Sequence, residues 1–130
     1  MSISFKIYED QRFFLSTWVG PISDSDLISS YKKLLEDKKF KPGFHELADA
    51  RKAGLSGITG EGFHRLSSMV ESHLAGKCKE FKTAIIAPTD FHFGMSRMYQ
   101  IISDEKIENV MVFREPSEAI KWLGIEEIEI

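Results

Sequence analysis

Asp49 and Arg51 stand two residues apart at the end of an apolar run, and Asp90 follows a second such run just beyond Pro88. Two carboxylates beside one guanidinium can hold a small polar ligand, or raise the pKa of one carboxyl by mutual repulsion. The same residues also have structural uses, Asp90 as a helix cap and Asp49–Arg51 as a local ion pair. With no nucleophile or positioned histidine beside them, the structural use is the expectation and catalysis is not. Ser56, in the loop Ala53-Gly-Leu-Ser-Gly57, is a different candidate. A phosphate there would meet the free N–H groups and positive dipole of a helix N-terminus, which makes Ser56 a possible phosphosite. Unmodified, the hydroxyl serves as a cap or a loop donor.

A third candidate lies on the helix that begins at about Asp90. At about 100° per residue, Phe91, Met95, Met98, Tyr99, Ile101 and Ile102 share one broad arc. Phe93 points away from that arc, and Arg97, one turn on, is placed to lie over its ring. An exposed aromatic with an arginine suits a partner surface, while the plainer alternative is a lone exposed ring. His45, His64, His73 and His92 show no metal-ligand spacing. Gly57-Ile-Thr-Gly-Glu-Gly62 lacks the lysine of a phosphate loop, and no G-x-S-x-G elbow occurs. The sequence therefore implies no metal, no cofactor and no enzyme.

Periodicity places the elements that must position these residues. Ser2 to Tyr8 and Arg12 to Val19 read as a hairpin. Ser23 caps a helix, with Asp26 as its capping-box partner and Leu27, Ile28, Tyr31, Leu34 and Leu35 as its buried stripe. Phe44 to Ala50 is a strand. Thr59 or Ser56 caps the next helix, with the stripe Phe63, Leu66, Val70 and Leu74, and Gly76 stops it. From Lys82 to Gly124 the pattern is strand, turn, helix, strand, helix. Alternation of this kind builds parallel sheets through right-handed crossovers. Residues 1–124 form a single domain in this reading, and Ile125 to Ile130 is a tail, either a small edge strand or a frayed end.

With 130 residues, 42% hydrophobic and 28% charged, the composition is that of an ordinary globular domain. A formal net charge of −3, with lysines interleaved among acids, gives no expectation of nucleic acid as partner. The single cysteine, Cys78, excludes an intramolecular disulfide and points to a reducing compartment. No run approaches the ~18 apolar residues of a membrane span. A cytoplasmic location is expected.

Four segments taken together carry a resemblance: Phe40-Lys-Pro-Gly43, Glu46-Leu-Ala-Asp-Ala-Arg51, Ala87-Pro-Thr-Asp90 with Gly94-Met-Ser-Arg-Met98, and Val112-Phe-Arg-Glu-Pro-Ser-Glu-Ala-Ile-Lys-Trp-Leu123. Their order and spacing resemble the SpoIIAA-like group. This is the fold of STAS domains, related to the lipid-binding CRAL-TRIO domain, and the likeness is greatest to small stand-alone bacterial STAS/SEC14-type proteins. The resemblance implies an α/β fold, a right-handed βα superhelix with a mixed sheet of about five strands, an N-terminal hairpin and four helices. It also implies a non-catalytic binding or regulatory module, with a lipid or small-apolar-ligand carrier as the alternative; the strand-end residues Asp49, Arg51 and Asp90 themselves leave an enzyme as a weaker one. In antagonists of this fold the serine of an Asp-Ser-Ser-Gly type loop is phosphorylated. Ser56-Gly57 matches the end of that pattern, whereas Gly54 and Leu55 depart from it.

The simplest winding puts all four helices on one face of the sheet. Phe14 and Trp18 point opposite to Phe13, Leu15 and Val19, so one apolar face would then need a cover. The hairpin, the isoleucine-rich tail, a second subunit in a homodimer, an apolar ligand, or a helix crossing over would each supply it. The surface assigned to a ligand or partner comprises Asp49, Arg51, Ser56, Asp90, Phe93 and Arg97.

Overall fold

The computed structural model describes residues 2–104 and 108–130. Strands β1 (Ser2–Tyr8), β2 (Phe13–Pro21), β3 (His45–Gly54), β4 (Phe81–Ile86) and β5 (Glu108–Phe113) form one sheet in sequence order. The β1–β2 pair is antiparallel and every later pair is parallel. Helices α1 (Asp24–Leu35), α2 (Gly60–Leu74) and α3 (Asp90–Ile102) are the crossovers, and α4 (Pro116–Leu123) comes after the last strand. This is the mixed five-strand, four-helix α/β fold expected from the sequence.

Parallel strands laid down in sequence order require crossovers that all step the same way, and crossovers of one hand share one face. The larger core accordingly joins Phe14 and Trp18 of β2 to Leu27 and Tyr31 of α1, Phe63 and Leu66 of α2, and Tyr99 of α3. Helix α4 connects to no further strand and is free of that rule. Its Ala119, Ile120 and Leu123 pack with Phe13, Leu15, Leu47, Ala84 and Ile86 on the opposite face, and Ile125, Ile128 and Ile130 of the tail join them. The expectation that all four helices share one face is therefore corrected. The chain covers both faces itself, and the tail packs without forming a strand.

Two other expectations change. The β2–β3 register shifts between Thr17 and Val19, and Val19 is 42% exposed instead of facing inward with Leu15. Strand β5 lies at the sheet edge, so Met111 is exposed where dry faces were expected on both sides.

Helices α1 and α2 begin at one junction. Ser23 Oγ accepts the Asp26 N–H at 3.1 Å and Asp26 Oδ2 accepts the Ser23 N–H at 3.0 Å, completing the expected capping box. Thr59, not Ser56, caps α2, its Oγ1 accepting the Gly62 N–H at 3.0 Å. Asp24 joins the two ends, accepting the Thr59 N–H at 2.8 Å and the Thr59 hydroxyl at 2.6 Å. A Cβ on Gly62 would lie 2.0 Å from Asp24 Oδ1, and one on Gly57 would lie 2.9 Å from the Ile22 carbonyl oxygen.

Leu123 is 7% exposed in the α4 cluster. Leu123→Ala is expected to cost about 2–5 kcal/mol in urea unfolding. A loss under about 0.5 kcal/mol, the range of ordinary surface changes, would contradict docking of α4 on the second face.

Candidate ligand cavity and its buried glutamates

On each strand of the α1–α3 face, alternate residues point into the helical layer. Several of them are polar: Ser16 on β2, Glu46 on β3, Thr83 on β4 and Glu108 on β5, all under 9% exposed. Glu46 is 2% exposed and Glu108 6% exposed. An isolated carboxylate in such a place is costly, so its hydrogen-bond partners decide whether it can be held.

The two glutamates are held in the same way. Ser16 Oγ donates to Glu46 Oε2 at 2.6 Å, and the Tyr31 hydroxyl from α1 donates to the same oxygen. Trp18 Nε1 donates to Ser16 Oγ at 3.1 Å, leaving the serine proton for the carboxylate. In the second instance Thr83 Oγ1 donates to Glu108 Oε2 at 2.6 Å, and the Tyr99 hydroxyl from α3 donates to Oε1 at 2.5 Å. Each set takes its hydroxyl from one strand, its carboxylate from the next, and its tyrosine from the helix joining those two strands.

Between the sheet and α1–α3 lies a cavity of about 40 Å³, enough for roughly two or three waters. Trp18, Phe40 and Phe63, the small Ala48 and Ala50, and both glutamates line it. No lysine, arginine or histidine is among its described lining residues. Burial pushes the Glu46 carboxyl up to about 7, helped by the charge of Glu108 and opposed by the hydrogen bonds from Ser16 and Tyr31. Burial, then the charges of the neighbouring glutamates, raise both tyrosine hydroxyls well above their ordinary value. The tyrosines therefore act as neutral donors.

The residues singled out from sequence lie elsewhere. Asp49 and Arg51 form a two-pronged pair, with Nε to Oδ1 and Nη2 to Oδ2 both at 2.9 Å. Burial opposes ionisation of Asp49, but the Arg51 hydrogen bonds and charge outweigh it and hold the carboxyl below its ordinary value. Asp90 is exposed and pairs with Arg114 at 2.8 Å, which is a separate ion pair. Ser56 sits in the exposed turn between β3 and α2. The guanidinium over the Phe93 ring, 4.5 Å from its centroid, is that of Arg114 and not Arg97. Arg97 is exposed and Phe93 half-buried.

Helix α3 is also rotated from its expected arc, burying Ser96 and Tyr99 while leaving Phe91 53% and Ile101 68% exposed. Polar anchors accompany that rotation. Besides Tyr99 on Glu108, His92 Nε2 lies 2.7 Å from the Ala53 carbonyl oxygen.

Neither glutamate is among the candidates that sequence pattern picks out. The available signal is a carboxylate at a core-facing position, since Glu46 shares the period-2 face of Ala48 and Ala50, and Glu108 that of Val110.

This architecture has a solved counterpart. An uncharacterised protein of the DUF3478 family from Shewanella loihica PV-4, with a SpoIIAA-like fold, aligns over 94% of this chain and 92% of its own. The TM-score is 0.59 and the identity 15%. This chain has a SpoIIAA-like fold. No protein-family model matches the sequence, and no curated protein is significantly similar to it. The Shewanella protein is itself uncharacterised, so the likeness extends to the fold and function rests on the site. No helix among the described residues is long and apolar enough to cross a membrane.

The raised carboxyl predicts a pH dependence of stability. The folded protein holds the Glu46 proton up to about pH 7, whereas the ordinary carboxyl releases it at 4.5. The folded state thus binds more protons across that window. This contribution to stability is complete below about 4.5 and is lost as pH rises through about 7, on the order of 3 kcal/mol in all. Glu46→Gln is expected to flatten the fall in unfolding free energy between those limits and to be at least as stable as the parent at higher pH. An unchanged slope in denaturation across the window would refute the assignment.

Proposed function

We propose that this protein is a non-catalytic binding module that holds a small, mainly apolar molecule between the sheet and helices α1–α3. The observation that carries this reading is an apolar cavity into which two acids project, rather than acids placed on the surface. A layer built only for stability gains more from aliphatic side chains of the same volume than from buried acids. Apolar lining with a few convergent polar groups is the usual character of a ligand site. The present volume is small, so a ligand larger than a few waters requires the helical layer to part from the sheet. The sheet's second face, an alternative place for a pocket, is occupied by α4 and the tail.

A second reading is self-association through α3, favoured by its exposed Phe91 and Ile101. These lie within about 80° of one another around the helix. If α3 forms a homodimer, Ile101→Ser lowers the sedimentation coefficient to that of a monomer. A parent protein already monomeric at high concentration would eliminate this reading.

The cavity reading is tested by native mass spectrometry of protein purified without delipidation, followed by thermal unfolding with the recovered compound. Expected are an added mass and a melting temperature that rises with compound concentration. Ala48→Val, which fills the cavity from a residue 3% exposed, is expected to fold and to abolish both effects. Bare protein, or undiminished binding by the Ala48 variant, would count decisively against the cavity.

A further inference from the structure

We infer that the cavity takes an apolar molecule carrying one hydroxyl group, lodged between the Glu46 carboxyl and the Ser96 hydroxyl, in preference to the ketone of the same skeleton. This rests on the cavity reading and adds the polar group of the ligand. The first ground is Glu46. Both of its donors, the hydroxyls of Ser16 and Tyr31, converge on Oε2 and fill its two lone-pair directions. Oε1 receives no hydrogen bond among the described residues, although Glu46 is 2% exposed and lines the cavity.

The second ground is Ser96. It lies on α3, is 4% exposed and lines the same cavity. Its hydroxyl makes no hydrogen bond among the described residues. The other hydroxyls of the lining, those of Tyr31, Thr83 and Tyr99, already donate to glutamates. Ser67 Oγ and Gln100 Oε1 also lack partners, but they are fully enclosed and belong to residues outside the lining. Two unsatisfied polar atoms on one apolar space are costly to a layer built only for stability, and they mark where the polar group of a ligand would sit.

The chemistry of the two atoms fixes the kind of group. Glu46 stands on the sheet and Ser96 on the helical layer, so a group between them meets one from each side. Burial holds the Glu46 carboxyl up at about 7, so at about pH 8 it is mostly ionised and Oε1 only accepts. Tyr31 of α1 and Tyr99 of α3 stay neutral there, and Glu108 of β5 already receives the Thr83 and Tyr99 hydroxyls. A ligand hydroxyl gives its proton to Oε1 and accepts that of Ser96. A ketone accepts from Ser96 but brings no proton to Oε1. A primary amide brings a second N–H that apolar walls leave unpaired. A water in the same place makes the bonds of a hydroxyl, and an alcohol replaces it without losing them. Trp18, Phe40, Phe63 and Leu66 suit the hydrocarbon part.

The test is calorimetric titration of the full chain at about pH 8 with cyclohexanol and cyclohexanone, which share a ring and differ only in the oxygen group. Expected is an affinity for the alcohol about tenfold above the ketone. A ketone that binds as well as the alcohol, or better, would overturn the hydroxyl inference and leave the cavity reading standing, because both compounds would still enter. Binding by neither would overturn both, as would alcohol binding undiminished in Ala48→Val. Ser96→Ala removes the open hydroxyl in favour of a better helix former and is expected to fold. It should weaken alcohol binding about fivefold, and an unchanged alcohol affinity would overturn the inference. Should that variant fail to fold, the comparison of the two compounds on the parent protein decides the point.

Discussion

Parallel strands arranged in sequence order constrain everything else in this molecule. Each step from β2 to β5 must be made by a crossover of the same hand, so α1, α2 and α3 share a face. That face becomes a thick layer of three helices over five strands. The opposite face is left to the chain beyond β5, the eight residues of α4 and the isoleucine-bearing tail. The asymmetry explains why the cavity and both buried acids occur on one side. Only there do strands and connecting helices approach one another at several places with side chains long enough to meet across the gap.

The polar sets in that layer solve a local electrostatic problem twice. In the β2–α1–β3 unit, Ser16, Tyr31 and Glu46 converge, and in the β4–α3–β5 unit, Thr83, Tyr99 and Glu108 do so. The intervening unit has no such set among its described contacts, and α2 contributes Phe63, whose ring lies 5.3 Å from that of Tyr99. Two hydroxyl donors lower the cost of a buried carboxylate but do not cancel it, which is why Glu46 still titrates near 7. The outer two crossovers are thereby tied to the sheet by directional bonds, and the middle one by packing.

Much of the scaffold is legible in the sequence because it depends on local chemistry. The Ser23–Asp26 capping box, the α2 stripe of Phe63, Leu66, Val70 and Leu74, and the strand order all arise from short-range pattern. The site is not legible, because its members are up to 30 residues apart within one set and meet only through register. Glu46 beside Leu47 and Asp49 looks like one acid in a mixed strand until the pleat assigns it to the inner face. The carboxyl ends of strands stand out more in the sequence, but there Asp49 and Asp90 are occupied by Arg51 and Arg114. The rotation of α3 escapes the apolar pattern because Tyr99 and His92 anchor it through hydrogen bonds. Hydrophobicity alone would have buried Phe91 and Ile101.

The junction at Asp24 has a mechanical consequence. One carboxylate bonds to the start of α2 from the first turn of α1, and Gly57 and Gly62 allow the two connections to approach more closely than side chains would permit. The two helices are thus pinned together at one end and share a pivot. Bending them apart there requires breaking the bonds of Thr59. Helix α3 has a different anchorage, side-chain bonds to Ala53, Glu108 and Arg114 together with the packing of Met95, Met98, Tyr99 and Ile102 on the core. At the pivot, the same bonds of Thr59 occupy amide groups that the start of a helix ordinarily leaves to solvent.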